Sequence, residues 1–355
     1  MTNTISHQNP DVPSRSSTES RAIYAALVSG AVGFIVALIV FRTGNVTLFE
    51  RGVSIGFMAS ILGGIVGLVV YLLAATSLVD SSTGRKRLWS RITTWSLALV
   101  HGLLAFLFYV VLFYIISQSF LGAQIDAWSS SLLVAVATGL AAYVVYLSAL
   151  TMNALRVSLL LATFLLSGVF ISMLTASDPY WWDIHFSSLG ASGGVSGYAF
   201  NATLIIAGLV IVALTSYIIE DFQRLLKADT AADRYRVRAL QVLLSGIGVA
   251  LAGVGIFVCD AFPVAHNIAA GGMAVLFIIM VVGLPWLTPS FPRAFFVISS
   301  VLLSALLLSA WLFMSVQYLS LTVFELVAAA LIFSWLVVFV RHIAALVDDG
   351  ARVKQ

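Results

Sequence analysis

Apolar residues along this chain do not alternate with polar ones at the period of a half-buried strand, nor do they form the one-sided stripe of a water-soluble helix. They come instead in blocks of about twenty residues separated by short polar breaks. Ten such blocks fall near residues 22–41, 53–76, 92–117, 129–150, 156–176, 198–219, 239–258, 266–287, 294–316 and 320–342. A helix rising about 1.5 Å per residue needs about 20 residues to cross roughly 30 Å of hydrocarbon. Lipid offers the backbone no hydrogen-bond partners, so helix is the required conformation for each block. The pattern predicts an all-α fold, a polytopic transmembrane helix bundle of about ten spans.

Two of the polar breaks stand apart from the rest. Residues 177–201 read SDPYWWDIHFSSLGASGGVSGYAFN and gather carboxylates, a histidine, serines and aromatic rings beside a glycine-rich turn. Residues 259–267 read CDAFPVAHN and hold the only cysteine of the chain. With ten alternating spans, the breaks between helices five and six and between helices seven and eight emerge on the same side, where they can meet. Tyr180, Trp181 and Trp182 suit the aromatic belt that anchors a loop at headgroup level.

Composition strengthens the membrane reading. The chain has 355 residues, of which 61% are hydrophobic and only 9% charged, against roughly 45–50% and 25% for soluble domains. Its formal net charge of +3 does not point to nucleic acid, because the basic residues are scattered among short loops rather than gathered on one patch. They report orientation instead. Arg85, Lys86, Arg87 and Arg91 follow the second block, and Arg224, Lys227, Arg234, Arg236 and Arg238 follow the sixth. With the tails, Arg156 and Arg293 on that same side, only Arg42 and Arg51 of 18 basic residues remain on the other. Both termini are therefore expected in the cytoplasm, in a cell membrane, with the two polar breaks outside. The stretch from Glu220 to Arg238 is expected to lie as an amphipathic helix on the inner leaflet. No cleavable signal peptide is expected, since the first block is long enough to span.

The longest charged loops suggest four segments: a disordered cytoplasmic tail over 1–21, a four-helix membrane block over 22–150, a six-helix membrane domain over 151–345 and a second tail over 346–355. No internal repeat is evident. Small residues recur at packing spacing, Gly246, Ala250 and Gly253 on one face of the seventh helix, Gly248, Ala252 and Gly255 on a neighbouring one, and Gly63, Gly64 and Gly67 in the second. Such faces let backbones approach closely in lipid.

Candidate chemistry concentrates in the two polar breaks. Asp183, His185 and Ser187 alternate before the sixth helix, which Asn201 enters near its start. Asp260, His266 and Asn267 surround Pro263, a residue well placed in the first turn of a helix. These seven residues are the expected ligand-binding set. His185, His266, Asp183, Asp260 and Ser187 are also the candidates for catalysis, though H-E-x-x-H does not occur. A single cysteine excludes a Cys-based zinc cluster, and no resident metal or cofactor is expected. His101 and Glu325 fall inside spans, where ionisable residues are costly and are functional candidates by default. A histidine hydrogen-bonded to a neighbouring helix is the expectation favoured for His101.

The segments WWDIHFSSLGA, YAFNATLIIAG and GVGIFVCDAFPVAHNIAA together resemble a bacterial and archaeal family of six-helix membrane proteins, domain-of-unknown-function family 998. The resemblance covers about residues 155–343, and its motif positions fall on Phe186, Ser187, Leu189, Gly190, Asn201, Phe262, Pro263 and His266. That family is similar in turn to eukaryotic six-span proteins that include lipid-remodelling and autophagy-modulating members, which implies a lipid-related role by analogy of fold. The leading expectation is a multi-pass membrane protein whose outer polar cluster binds a lipid headgroup or an envelope component, with membrane lipids as partners and no nucleic acid. The alternatives are a lipid hydrolase or transferase using His185 and His266, and a proton-coupled transporter using His101 and Glu325.

Overall fold

The computed structural model describes residues 15–42, 44–50, 52–76, 85–226, 230–289 and 291–352. Among them, ten helices are long and apolar enough to cross a membrane. The chain is thus an all-α, multi-pass membrane protein. Cα packing divides it into two compact units, one formed by Met1–Ser82 with Leu97–Thr151 and the other by Thr83–Ser96 with Met152–Gln355.

The first unit contains α1 (Arg15–Phe41), α2 (Ile55–Thr76), most of α3 (Arg85–Ser119) and α4 (Ala127–Leu150). Helix α4 packs along both α1 and α2. Small residues set that approach: a Cβ at Gly139 would come within 3.0 Å of the Ala26 carbonyl oxygen, and one at Gly30 within 3.1 Å of that of Ala135. Helices α2 and α3 meet in the same way at Gly64 and Gly102. At one end the connecting segments pair as β1 (Asn45–Thr47) and β2 (Gln124–Asp126), an antiparallel ribbon with Val46 opposite Ile125. Val46 and Leu48 join Phe41, Ile55, Tyr109 and Phe113 in a buried apolar cluster beneath it. Asp126 closes the ribbon and caps α4, accepting from the backbone N–H groups of Trp128 and Ser129 at 3.0 Å each. Those bonds, led by Ser129, hold its carboxyl below the usual range.

His101, in α3, is buried and uses both ring nitrogens. Nδ1 lies 2.7 Å from the Leu97 carbonyl oxygen and Nε2 lies 2.9 Å from Ser148 Oγ on α4, while the ring stacks on Tyr71. The interhelical hydrogen bond expected for a histidine within a span is the one it makes.

The second unit contains α5 (Ala154–Leu174), the single turn α6 (Ser188–Ala191), α7 (Val195–Leu226), α8 (Ala231–Ile256), α9 (Pro263–Leu287), α10 (Arg293–Met314) and α11 (Leu321–Arg352). Each long helix packs on the next, and α11 returns to α5 and α7, so the six close on themselves. Helix α7 is the most enclosed of the ten spans. It touches α8 through Gly248 and Gly255: a Cβ at Gly248 would sit 2.7 Å from the Gly208 carbonyl oxygen, and one at Gly255 2.6 Å from that of Asn201. The other small face of α8 turns to α9, with Gly246 against Leu276 and Gly253 against Ala269. Midway along α11, Trp335 stacks on Phe339 and donates Nε1–H to Ser299 Oγ at 2.9 Å.

The sequence blocks find the ten spans but not their full lengths. Helix α1 begins at Arg15, inside the segment expected to be disordered tail. Helix α7 runs on to Leu226, and α8 starts at Ala231 with Thr230 accepting from the Asp233 N–H. The charged stretch 220–238 is therefore mostly the ends of two long helices, not a separate amphipathic one. Hydrophobicity marks the hydrocarbon crossing, whereas a helix continues as long as its backbone and caps allow. Residues before 15, Arg51 and Lys227 lie outside the described residues.

Candidate functional site

The two polar breaks do come together, at the end of the second unit where α5 stops and α7 starts. After α5 the chain turns at Asp178, whose side chain accepts from the Tyr180 N–H at 2.8 Å, and then makes a 3-10 turn over Trp181–Asp183. The start of α11 holds this loop. Thr322 donates to the Trp182 carbonyl at 2.7 Å, and Glu325, one turn further on the same face, accepts from the Phe186 N–H at 2.6 Å. Ser187 Oγ donates to the other Glu325 carboxyl oxygen over a longer 3.4 Å. Leu189, fully buried, pins α6 beneath the loop.

Asn201 in α7 donates Nδ2–H to the Gly190 carbonyl at 2.8 Å, fastening α6 to the helix that follows. Gly194 makes the turn between them with φ +76°, a left-handed conformation that glycine adopts without a Cβ clash. The glycine-rich turn is thus a bend that lets Asn201 reach back to the Gly190 carbonyl.

The second break supplies the opposite wall. Helix α8 ends at Ile256, and a turn follows in which the Phe262 N–H returns to the Val258 carbonyl at 2.8 Å. Cys259 leaves this turn toward the first loop, with Sγ 3.4 Å from the Ser187 carbonyl oxygen and 3.5 Å from Asp260 Oδ1. Burial, and then the neighbouring Asp260, push the Cys259 thiol up to about 11. His266, buried in the first turn of α9, places Nδ1 2.7 Å from the Phe257 carbonyl oxygen. The ligand atoms of His185, Cys259 and Asp260 all lie within 4.8 Å of one another, with His185 and Cys259 half-buried and Asp260 exposed. Glu325 stands within electrostatic reach of both His185 and His266.

The candidates named from sequence therefore separate. His185 and Asp260 meet, Ser187 lies between the two walls, and His266 joins them through Glu325. Asn201 has a structural bond. Asp183 and Asn267 are exposed and stand outside the close group. Ser187 turns its hydroxyl to Glu325 and not to a histidine, so the Ser–His pair of a nucleophilic hydrolase is not formed between them. Two residues escape the sequence reading: Cys259, set aside as a lone thiol, and Glu325, taken as part of a separate path within a span. The signal for Glu325 is its place near the start of a span whose preceding loop must lie on the same side as the polar breaks.

Beside this cluster a groove of about 550 Å³ runs between α7, α8 and α9. Gly208, Gly253, Ile256, Phe257, Ala265 and Ile268 line it, all apolar or glycine. Phe257 joins the two features, since its carbonyl meets His266 while its side chain borders the groove. The small residues of α8 make the space, because the helices stand close without filling the gap with side chains.

No curated protein and no solved structure matches the chain. Residues 159–342, which span the second unit from α5 to α11 and include both polar breaks and Glu325, match the family described as "Protein of unknown function (DUF998)". The chain belongs to that family.

Proposed function

We propose that the second unit binds a membrane phospholipid, with the headgroup on the cluster of His185, Ser187, Asp260, Glu325 and His266 and an acyl chain in the groove. The observation that carries this reading is the junction at Phe257, where a polar cluster passes directly into an apolar groove. A phospholipid has that same division along its length. The exposed Val249, Ile256 and Ile268 on the groove's margin turn it toward the bilayer, where an acyl chain is the available apolar ligand. We further place this end of the bundle on the outer side of a cytoplasmic membrane, with both termini in the cytoplasm, on the grounds of the Lys and Arg distribution.

The test is photo-crosslinking of the purified protein with a phospholipid carrying a photoreactive acyl chain. Ala265→Phe fills the groove and His185→Ala removes a headgroup contact. Each is expected to cut labelling several-fold relative to the unaltered protein, while Leu159→Phe, on the exposed face of α5, leaves it unchanged. Equal labelling of all four proteins would overturn the reading.

A further inference from the structure

We infer that His185, Cys259 and Asp260 form a binding site for one divalent cation of the zinc class. The three side chains offer an imidazole nitrogen, a sulfur and a carboxylate oxygen within 4.8 Å of one another, a donor set that suits zinc and its neighbours rather than calcium or magnesium. Zinc bonds of about 2.0–2.3 Å in a tetrahedron place ligand atoms about 3.3–3.8 Å apart. Cys259 Sγ and Asp260 Oδ1, 3.5 Å apart, already stand in that range, and the remaining closure of up to about an ångström lies between them and His185.

The site is held from two sides. Cys259 and Asp260 are adjacent in a turn fixed by the Val258 carbonyl, which accepts from both Ala261 and Phe262. His185 precedes Phe186 and Ser187, which Glu325 clamps. The Cys259 thiol already points across the gap, toward the Ser187 carbonyl and the Asp260 carboxylate. Metal binding replaces that thiol proton. The S–H bond breaks, the proton leaves to water, and the sulfur lone pair forms the metal bond; no oxidation state changes.

The surroundings favour a cation. The loops 176–194, 257–266 and 315–320 and the first five residues of α11 contain Asp178, Asp183, Asp260 and Glu325 but no lysine or arginine. Three protein ligands leave one coordination position open, as in zinc sites that take up an external ligand. An ion there would supply the positive charge that the cluster lacks toward a phosphate. Metal binding itself does not depend on the lipid reading, and the experiment is run without lipid, so either can fail alone.

The experiment is titration of cobalt(II) into the full chain, purified in detergent with a tag free of histidine. One equivalent is expected to bind with the thiolate-to-cobalt charge-transfer absorption in the near ultraviolet, and zinc is expected to bleach it. Cys259→Ser abolishes the band, and His185→Ala and Asp260→Asn each weaken binding tenfold or more. In the unaltered protein, which sidesteps any folding defect of a variant, zinc slows maleimide labelling of Cys259 at least tenfold and a chelator restores it. Absence of the band at saturating cobalt, an unchanged labelling rate with zinc, or unaltered affinity in both His185→Ala and Asp260→Asn would overturn the inference.

Discussion

Glu325 shows how one side chain can organise a loop distant from it in sequence. Its two carboxyl oxygens receive the Phe186 N–H and the Ser187 hydroxyl. Glu325→Ala leaves the partly buried Phe186 N–H without its acceptor, which is expected to cost about 1–3 kcal/mol. Glu325→Gln keeps an acceptor oxygen and is expected to cost less than half as much. Thermal unfolding of the three proteins in one detergent checks the order; equal melting temperatures would remove Glu325 from this role. Asn201 illustrates the opposite lesson. In the sequence it reads as a ligand, because an amide at the start of a span is costly unless something meets it. What meets it is the Gly190 carbonyl. Sequence shows that such a group needs a partner but not which atom provides it.

At the scale of helices, glycine has two uses that the sequence does not tell apart. Gly208 faces α8 so closely that an added Cβ would overlap the Gly248 carbonyl and lie 2.6 Å from the Ala252 nitrogen, both backbone atoms. Gly208→Ala must push α7 and α8 apart and is expected to cost about 1–3 kcal/mol. Gly271, in the middle of α9, has nothing within 4 Å of a Cβ. Gly271→Ala is expected to cost nothing and to gain up to about 1 kcal/mol from helix propensity. A pair of urea or thermal denaturation curves separates the two positions. The spacing of Gly248, Ala252 and Gly255 makes the close α7–α8 face legible beforehand. The β1–β2 ribbon is not, since three residues per strand are too few to establish an alternating pattern.

For the molecule as a whole, the ten crossings were readable because hydrocarbon thickness sets a minimum length that hydropathy detects directly. The meeting of residues 177–201 with 257–266 was readable only as far as sidedness: two breaks separated by an even number of spans share a face. Which atoms meet was not, because His185 and Cys259 lie on different loops and no spacing rule links them. The orientation rests on Lys and Arg alone and has its own test. In a Cys259→Ser background, Tyr180→Cys, at an exposed position, is expected to react with an impermeant maleimide in intact cells. Reaction only after permeabilisation would invert the topology.

The groove between α7, α8 and α9 carries a kinetic consequence. Its exposed margin at Val249, Ile256 and Ile268 gives an occupant a route in and out sideways, through the hydrocarbon phase, without crossing water. Occupancy would then follow the mole fraction of the ligand in the surrounding leaflet and stay constant when a vesicle suspension is diluted. Exchange would be governed by two-dimensional diffusion and by departure from the groove, not by aqueous solubility.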